Sequence, residues 1–283
     1  MEMAQDEIVM KRILSIVIFL SCAFALNAQD FSFEWTEVAM DGSRVGATVP
    51  TADDPEAALG HIKGTKYIAP NGKKFKGSVA EVAALMLEAQ PSMAYVKEIV
   101  GYSDHEMAKK HPQSELSNMI ADCMIKKTEQ VTGKKVDVSF INGGGIRSEI
   151  PAGTVVVDDL LSMLPFKNYL CYVSLKGSDL RYIFENFGTK TLFIGGVSLT
   201  YKDGNLVNAL VGGEPLDDNR LYGVTTVDFL LDGGDGVYVA RNAKELIITD
   251  VLIYDSFLSF IKDFANEGKN ISYHFDDRII LLD

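Results

Sequence analysis

Three consecutive glycines follow the run VDVSFI at 136–141, in Asn142-Gly143-Gly144-Gly145-Ile146-Arg147, and they constrain this 283-residue chain more than any other stretch. The run itself reads as a strand. Glycine has no Cβ, so the turn can take positive φ and let a ligand approach the backbone closely. Successive amides in such a turn form a concave nest for an anion, and Arg147 adds a planar charged fork suited to phosphate. The pattern is neither the GxGxxG of a dinucleotide fold nor the GK[ST] of a P-loop.

The surrounding pattern predicts helices at 78–90, 114–132, 158–164, 177–187 and 252–266, interspersed with strand-like runs such as NYLCYVSL, VSLTY, LYGVTTVDFLL and RIILL. In the second helix Leu116, Met119, Ile120, Cys123 and Met124 recur at helical spacing, with Ser114 as N-cap and Gly133 as the stop. In the first, Val79, Val82, Leu85 and Met86 share a face. Strands and helices mix without strict alternation, which predicts an α+β fold of layered mixed β-sheets flanked by helices. One compact domain is expected at 76–283, preceded at 29–75 by a polar arm of short strands and turns.

The N-terminus reads as a targeting signal. Lys11 and Arg12 follow Met10, residues 13–26 are almost entirely apolar, and Ala28 offers a small residue for cleavage. That is the layout of a secretory signal peptide over residues 1–28, with 1–9 ahead of the true start, and it predicts a periplasmic or secreted protein. The apolar run is short of the roughly 20 residues that cross a bilayer as a helix, so stable membrane insertion is not expected. A net charge of −12 argues against binding duplex nucleic acid through its phosphates. Cys123 and Cys171 fall in apolar runs, as small buried hydrophobes do.

Two further motifs carry possible chemistry. Leu164-Pro165-Phe166-Lys167-Asn168 lies between a helix and a strand, where proline fixes a turn that can present Phe166 outward. Phe229-Leu230-Leu231-Asp232-Gly233-Gly234-Asp235-Gly236 is a strand entering a turn, which sets an aromatic plate beside a carboxylate. Alone, each motif also suits a core phenylalanine or a capped turn. Two aromatic faces, an asparagine, an arginine and an aspartate at loop tips suit a nucleoside, each ring being worth about 1–3 kcal/mol on a base.

With S-x-L-x-N-x-I-A-D at 114–122, N-G-G-G-I-R, L-P-F and G-G-D-G in order, residues 77–283 resemble the C-terminal, substrate-binding domain of 5'-nucleotidases and UDP-sugar hydrolases. The resemblance implies that Phe166 and Phe229 clamp the base, Asn142 bonds its edge, Gly144 lies in the loop, Arg147 faces phosphate or ribose and Asp235 accepts from ribose hydroxyls. It also implies a substrate contact for Asn168 and a pocket-rim position for Gly195. Members of that family carry a substrate-contacting arginine shortly before the S-x-L-x-N helix. Here the stretch 107–113 holds only Lys109 and Lys110, point charges without a bidentate fork.

Full-length members also carry a metallophosphatase domain with a divalent metal pair. The four histidines, His61, His105, His111 and His274, fit none of its motifs, and Asp104-His105-Glu106 reads as a solvated turn. No GxSxG or HExxH is present. The expectation is therefore a chain with no catalytic or metal-binding residues and no cofactor of its own, which supplies nucleotide recognition to a separately encoded metallophosphatase. A stand-alone nucleoside or nucleotide binding protein and a vestigial structural domain are the alternatives.

Overall fold

The computed structural model describes residues 45–48, 55–276 and 278–282, so the expected signal peptide lies outside the described residues. The arm begins with the short helix α1 (Pro55–Leu59). It continues as an antiparallel ribbon of β1 (His61–Lys63), β2 (Lys66–Ile68) and β3 (Lys74–Phe75). The Tyr67 hydroxyl donates to the Leu59 carbonyl at 2.6 Å, joining ribbon to helix. Helix α2 (Ser78–Ala89) forms where the apolar spacing predicts it, yet it packs Ala80 on Tyr67 and Ala69 of this ribbon. Its Val79, Val82, Leu85 and Met86 remain exposed, because strands of two or three residues are too small to cover a whole helical stripe.

The main body comprises β4 (Ile99–Ser103), α3 (Glu115–Thr132), β5 (Val138–Asn142), β6 (Gly153–Val156), α4 (Val157–Met163) and β7 (Tyr169–Lys176). Next come α5 (Gly177–Phe187), β8 (Leu192–Gly195), β9 (Val197–Lys202), β10 (Asn205–Val211), β11 (Glu214–Pro215) and β12 (Leu221–Val227). The chain closes with β13 (Glu245–Leu252), α6 (Ile253–Asn266) and β14 (Ile279–Leu282). The architecture is α+β, with mixed sheets and flanking helices, as the mixed element order predicts. One sheet has the order β13-β7-β12-β5-β8, a second β11-β10-β9-β14, and β4 pairs with β6.

Helix α3 begins and ends as its signals predict. The Ser117 amide donates to the Ser114 hydroxyl, the Ser114 amide donates to the Ser117 hydroxyl, and Gly133 closes the helix at φ 67°. One face buries Leu116, Met119, Ile120, Cys123 and Met124 over the five-stranded sheet. Each such side chain is worth about 1.5–3 kcal/mol relative to exposure. Cys123 and Cys171 are free and buried, and loss of hydration pushes both thiols up to about 12, so they pack as apolar groups.

Strand polarity sets up the site. Strands β5 and β12 are parallel, with Val138 opposite Val224, so both carboxyl ends reach one edge of the sheet. Strand β7 is antiparallel to β12, with Leu170 opposite Val227, and its amino end arrives at the same edge. Three loops distant in sequence therefore meet there: the glycine turn after β5, the proline turn before β7 and the Phe229 turn after β12.

Candidate functional site

Asn142, the last residue of β5, is only 4% exposed. Its Nδ2 donates to Asp235 Oδ2 at 2.7 Å. A carboxylate is acceptor-only when ionised, which fixes the amide so that Oδ1 turns the other way. That Oδ1 is buried and has no protein partner, and an orphaned acceptor of this kind costs about 1–3 kcal/mol. It lies beside Gly145, where an added Cβ would come within 2.9 Å of it. Asn142 and Gly145 line a cleft together with Phe166, Asn168, Val227 and Ile253. The cleft as a whole is small, about 10 Å³, room for a single polar atom or one water, so a ring would lie outside it.

Phe166, which lines the cleft, and Phe229, on the turn that carries Asp235, are 47% and 46% exposed. Asp228 ties their loops together: one carboxylate oxygen accepts from the amide of Tyr169, at 3.2 Å, and from that of Phe229, at 2.9 Å. The Phe229 ring lies against Gly234, where any Cβ would come within 2.7 Å of two ring carbons. Asp235 follows in a left-handed conformation, φ 50°, that aspartate tolerates better than most residues. On the other side, the Ile253 amide donates to the Asn168 carbonyl at 3.0 Å, fixing the proline turn to α6.

The cationic side of the site is Lys109 and Arg147. Lys109 Nζ donates to the Gly143 carbonyl at 2.8 Å and to the Ile146 carbonyl, so it ties the glycine turn from beneath. Its charge is engaged by the loop and does not stand in for the arginine that the resemblance leads one to expect. His111 stacks on Phe193 at 4.3 Å, 2.6 Å from where a Cβ on Gly143 would lie. Loss of hydration, reinforced by the nearby Lys109 charge, lowers its pKa below the ordinary histidine value. Arg147 is exposed at the end of the turn, with its amide anchored to the Met163 carbonyl at 2.8 Å and no carboxylate partner among the described residues.

Seven of the sequence-predicted residues therefore gather at one sheet edge: Asn142, Gly144, Arg147, Phe166, Asn168, Phe229 and Asp235. Gly195 does not. It pairs with Ser139, three residues back along β5 from Asn142, or roughly 10 Å along the strand. A Cβ there would meet Ser139 Oγ at 2.5 Å and Asp122 Oδ1 at 3.0 Å, so its role is close packing under α3. Sequence reasoning missed Asp228, although a short carboxylate where a strand enters a turn is a recognisable amide acceptor.

Among the described residues no three His, Cys, Asp or Glu side chains converge as metal ligands. In Asp104-His105-Glu106, Asp104 accepts from Asn270 at 2.8 Å and the His105 ring contacts Glu115 at 2.7 Å. These donors do not fit a divalent metal pair.

The site is thus a mixed sheet whose parallel carboxyl ends carry a glycine turn, two exposed rings and an Asn–Asp pair. The model of the family "5'-nucleotidase, C-terminal domain" matches residues 94–242, a span that holds all seven of the gathered residues, and the chain belongs to that family. It is 32% identical over 130 residues to the 5'-nucleotidase of Vibrio cholerae, covering 44% of this chain and 22% of that protein. It is 30% identical over 173 residues to the 5'-nucleotidase of Homo sapiens, covering 52% of this chain and 30% of that protein. Its fold is similar to the crystal structure of a 5'-nucleotidase precursor from Thermus thermophilus. The TM-score is 0.63 at 25% identity, over 77% of this chain and 49% of that one. The chain thus spans less than a third of the length of these two curated relatives.

Proposed function

We propose that this chain recognises the nucleoside part of a nucleotide and presents its phosphate ester to a separately encoded metallophosphatase. The observation that carries the reading is the buried, unpartnered Oδ1 of Asn142, a residue that lines a cleft together with Phe166. A base lies between the rings and offers one N–H donor to that oxygen. Asp235, already accepting from Asn142, keeps capacity for ribose hydroxyls, because a carboxylate has about four acceptor sites. Arg147 and the amides of the glycine turn lie where phosphate charge is favoured. The reading also holds that residues 1–28 direct the chain to the periplasm or out of the cell. No helix among the described residues is long and apolar enough to cross a membrane.

Calorimetry with adenosine and AMP tests recognition, and AMP hydrolysis by proteins co-purified from a periplasmic extract tests the partnership. AMP binding that is lost in Phe229→Ala, together with recovered hydrolysis, supports the reading. A chain that binds AMP yet recovers no phosphatase sinks the partnership. The engagement of Lys109 by loop carbonyls favours a second reading, a nucleoside-binding protein acting alone. Equal affinity for adenosine and AMP would favour that one.

A further inference from the structure

Beyond the nucleoside cleft, α5 and the segment 236–242 enclose a groove of about 410 Å³, within the size range of small-molecule sites. We propose that this groove binds an anionic sugar, a hydroxyl-bearing ring carrying one carboxylate or phosphate.

Its floor is apolar, formed by Leu175, Ile183 and Val239, and its rim carries Tyr182 and Tyr238, 58% and 45% exposed. Exposed tyrosine rings give a flat apolar surface with a polar tip, which suits the C–H face of a sugar beside its hydroxyls. Tyr238 is held in place, since a Cβ on Gly233 would meet three atoms of its side chain at 3.0–3.1 Å. The Arg241 guanidinium lies over the Tyr238 ring, 4.2 Å from its centroid. Stacking uses the face of the guanidinium and leaves its N–H edges for a planar anion.

Arg241 is unusual in this molecule. Of the five described arginines, Arg181 pairs with Asp218, Arg220 with Asp137, and Arg278 with Asp122 and Asp276. Only Arg147 and Arg241 have no carboxylate partner among the described residues, in a chain whose 39 acidic residues outnumber its 27 lysines and arginines. One of the two is at the nucleoside cleft and the other is here. Across the groove, Asn242 Nδ2 donates to Asp179 Oδ1 at 2.7 Å, leaving the amide oxygen and the rest of the carboxylate as acceptors. Those acceptors match hydroxyl donors and repel a second negative charge, which selects a ring with a single anionic group over a polyanion.

The test is calorimetric titration of the full chain with glucuronate, glucose 1-phosphate, glucose and inorganic phosphate. One or both acidic sugars should bind at least about tenfold more tightly than glucose or phosphate, and which of them binds separates a carboxylate source from a phosphate source. Arg241→Gln should reduce the acidic sugar to the level of glucose, and Tyr182→Ala should weaken it about threefold. Both residues are exposed, so both variants fold. Phe166→Ala, on the separate proline turn, should leave sugar binding within about twofold while weakening adenosine roughly tenfold or more, so this inference and the nucleoside reading fail separately. No binding by either acidic sugar, phosphate binding as tightly as the sugars, or an unchanged Arg241→Gln variant overturns the proposal.

Discussion

Arg278 and Asn142 are both buried polar side chains, and their surroundings differ in kind. Arg278 donates four hydrogen bonds to two carboxylates, at 2.7–3.1 Å, to Asp122 of α3 and to Asp276 just before β14. The Tyr273 hydroxyl adds a further bond to Asp122 at 2.7 Å. Although burial opposes its charge, the two carboxylates raise the arginine pKa. Asn142, a residue that lines the cleft, has one partner and an orphaned buried oxygen. A closed set of partners marks a brace between elements, whereas an open set marks a place left for something else. Gln113, Ser139 and Ser148 also have a buried unpartnered oxygen, but none of them lines the cleft.

Four experiments probe this contrast. Asp122→Ala should have the largest effect, because it leaves the Arg278 charge with one carboxylate. We expect a loss of about 3 kcal/mol, toward the low end for a broken buried pair because Asp276 remains. Thermal unfolding should show that loss as a drop of roughly 10 °C with unchanged adenosine affinity per folded molecule. Phe229→Ala should do the reverse, weakening adenosine by about 2 kcal/mol with little change in Tm. A Tm loss as large as that of Asp122→Ala would reclassify Phe229 as a core residue.

Asn142→Ala sharpens the comparison further. It removes the orphaned acceptor, so stability should change by less than about 1 kcal/mol while adenosine binding weakens about tenfold. Lys109→Met should have the smallest leading effect of the four, a loss of about 1 kcal/mol in folding stability, read by chemical denaturation. It also removes one of the two causes that lower the His111 pKa, so an NMR titration should show that pKa rising toward the ordinary value of ~6.5. The sign for the native chain follows. A folded pKa below the unfolded one means the unfolded state binds the proton more readily. This contribution to stability is therefore intact above ~6.5 and is lost as pH falls toward the folded value. Thermal scans from pH 8 to 5 should show that loss, and it should be smaller in Lys109→Met.

Local signals were legible in the sequence. Ser114 and Gly133 bracket α3 because capping depends on a few adjacent residues. The Asn142, Phe166 and Phe229 motifs were readable because each sits at a strand end with its own turn chemistry. What escaped depends on pairing between distant strands. Gly195 and Asn142 lie on paired strands, and only the β5–β8 register separates them. Lys109 reads as a substitute cation until the glycine turn is placed above it. The stripe on α2 reads as a buried face because periodicity reports amphipathicity and says nothing of how much partner surface exists.

The β5–β12–β7 arrangement also determines when the binding cleft exists. Its contributors at residues 142, 166 and 229 are brought together by the finished sheet, so a nascent or clipped chain ending before residue 229 has no cleft. Ligand occupancy therefore reports global integrity. If the chain binds a nucleoside as proposed, a saturating ligand would shift the population toward the assembled molecule by mass action, about 2.7 kcal/mol at a hundredfold excess over Kd, and would protect it from proteases that attack opened chains.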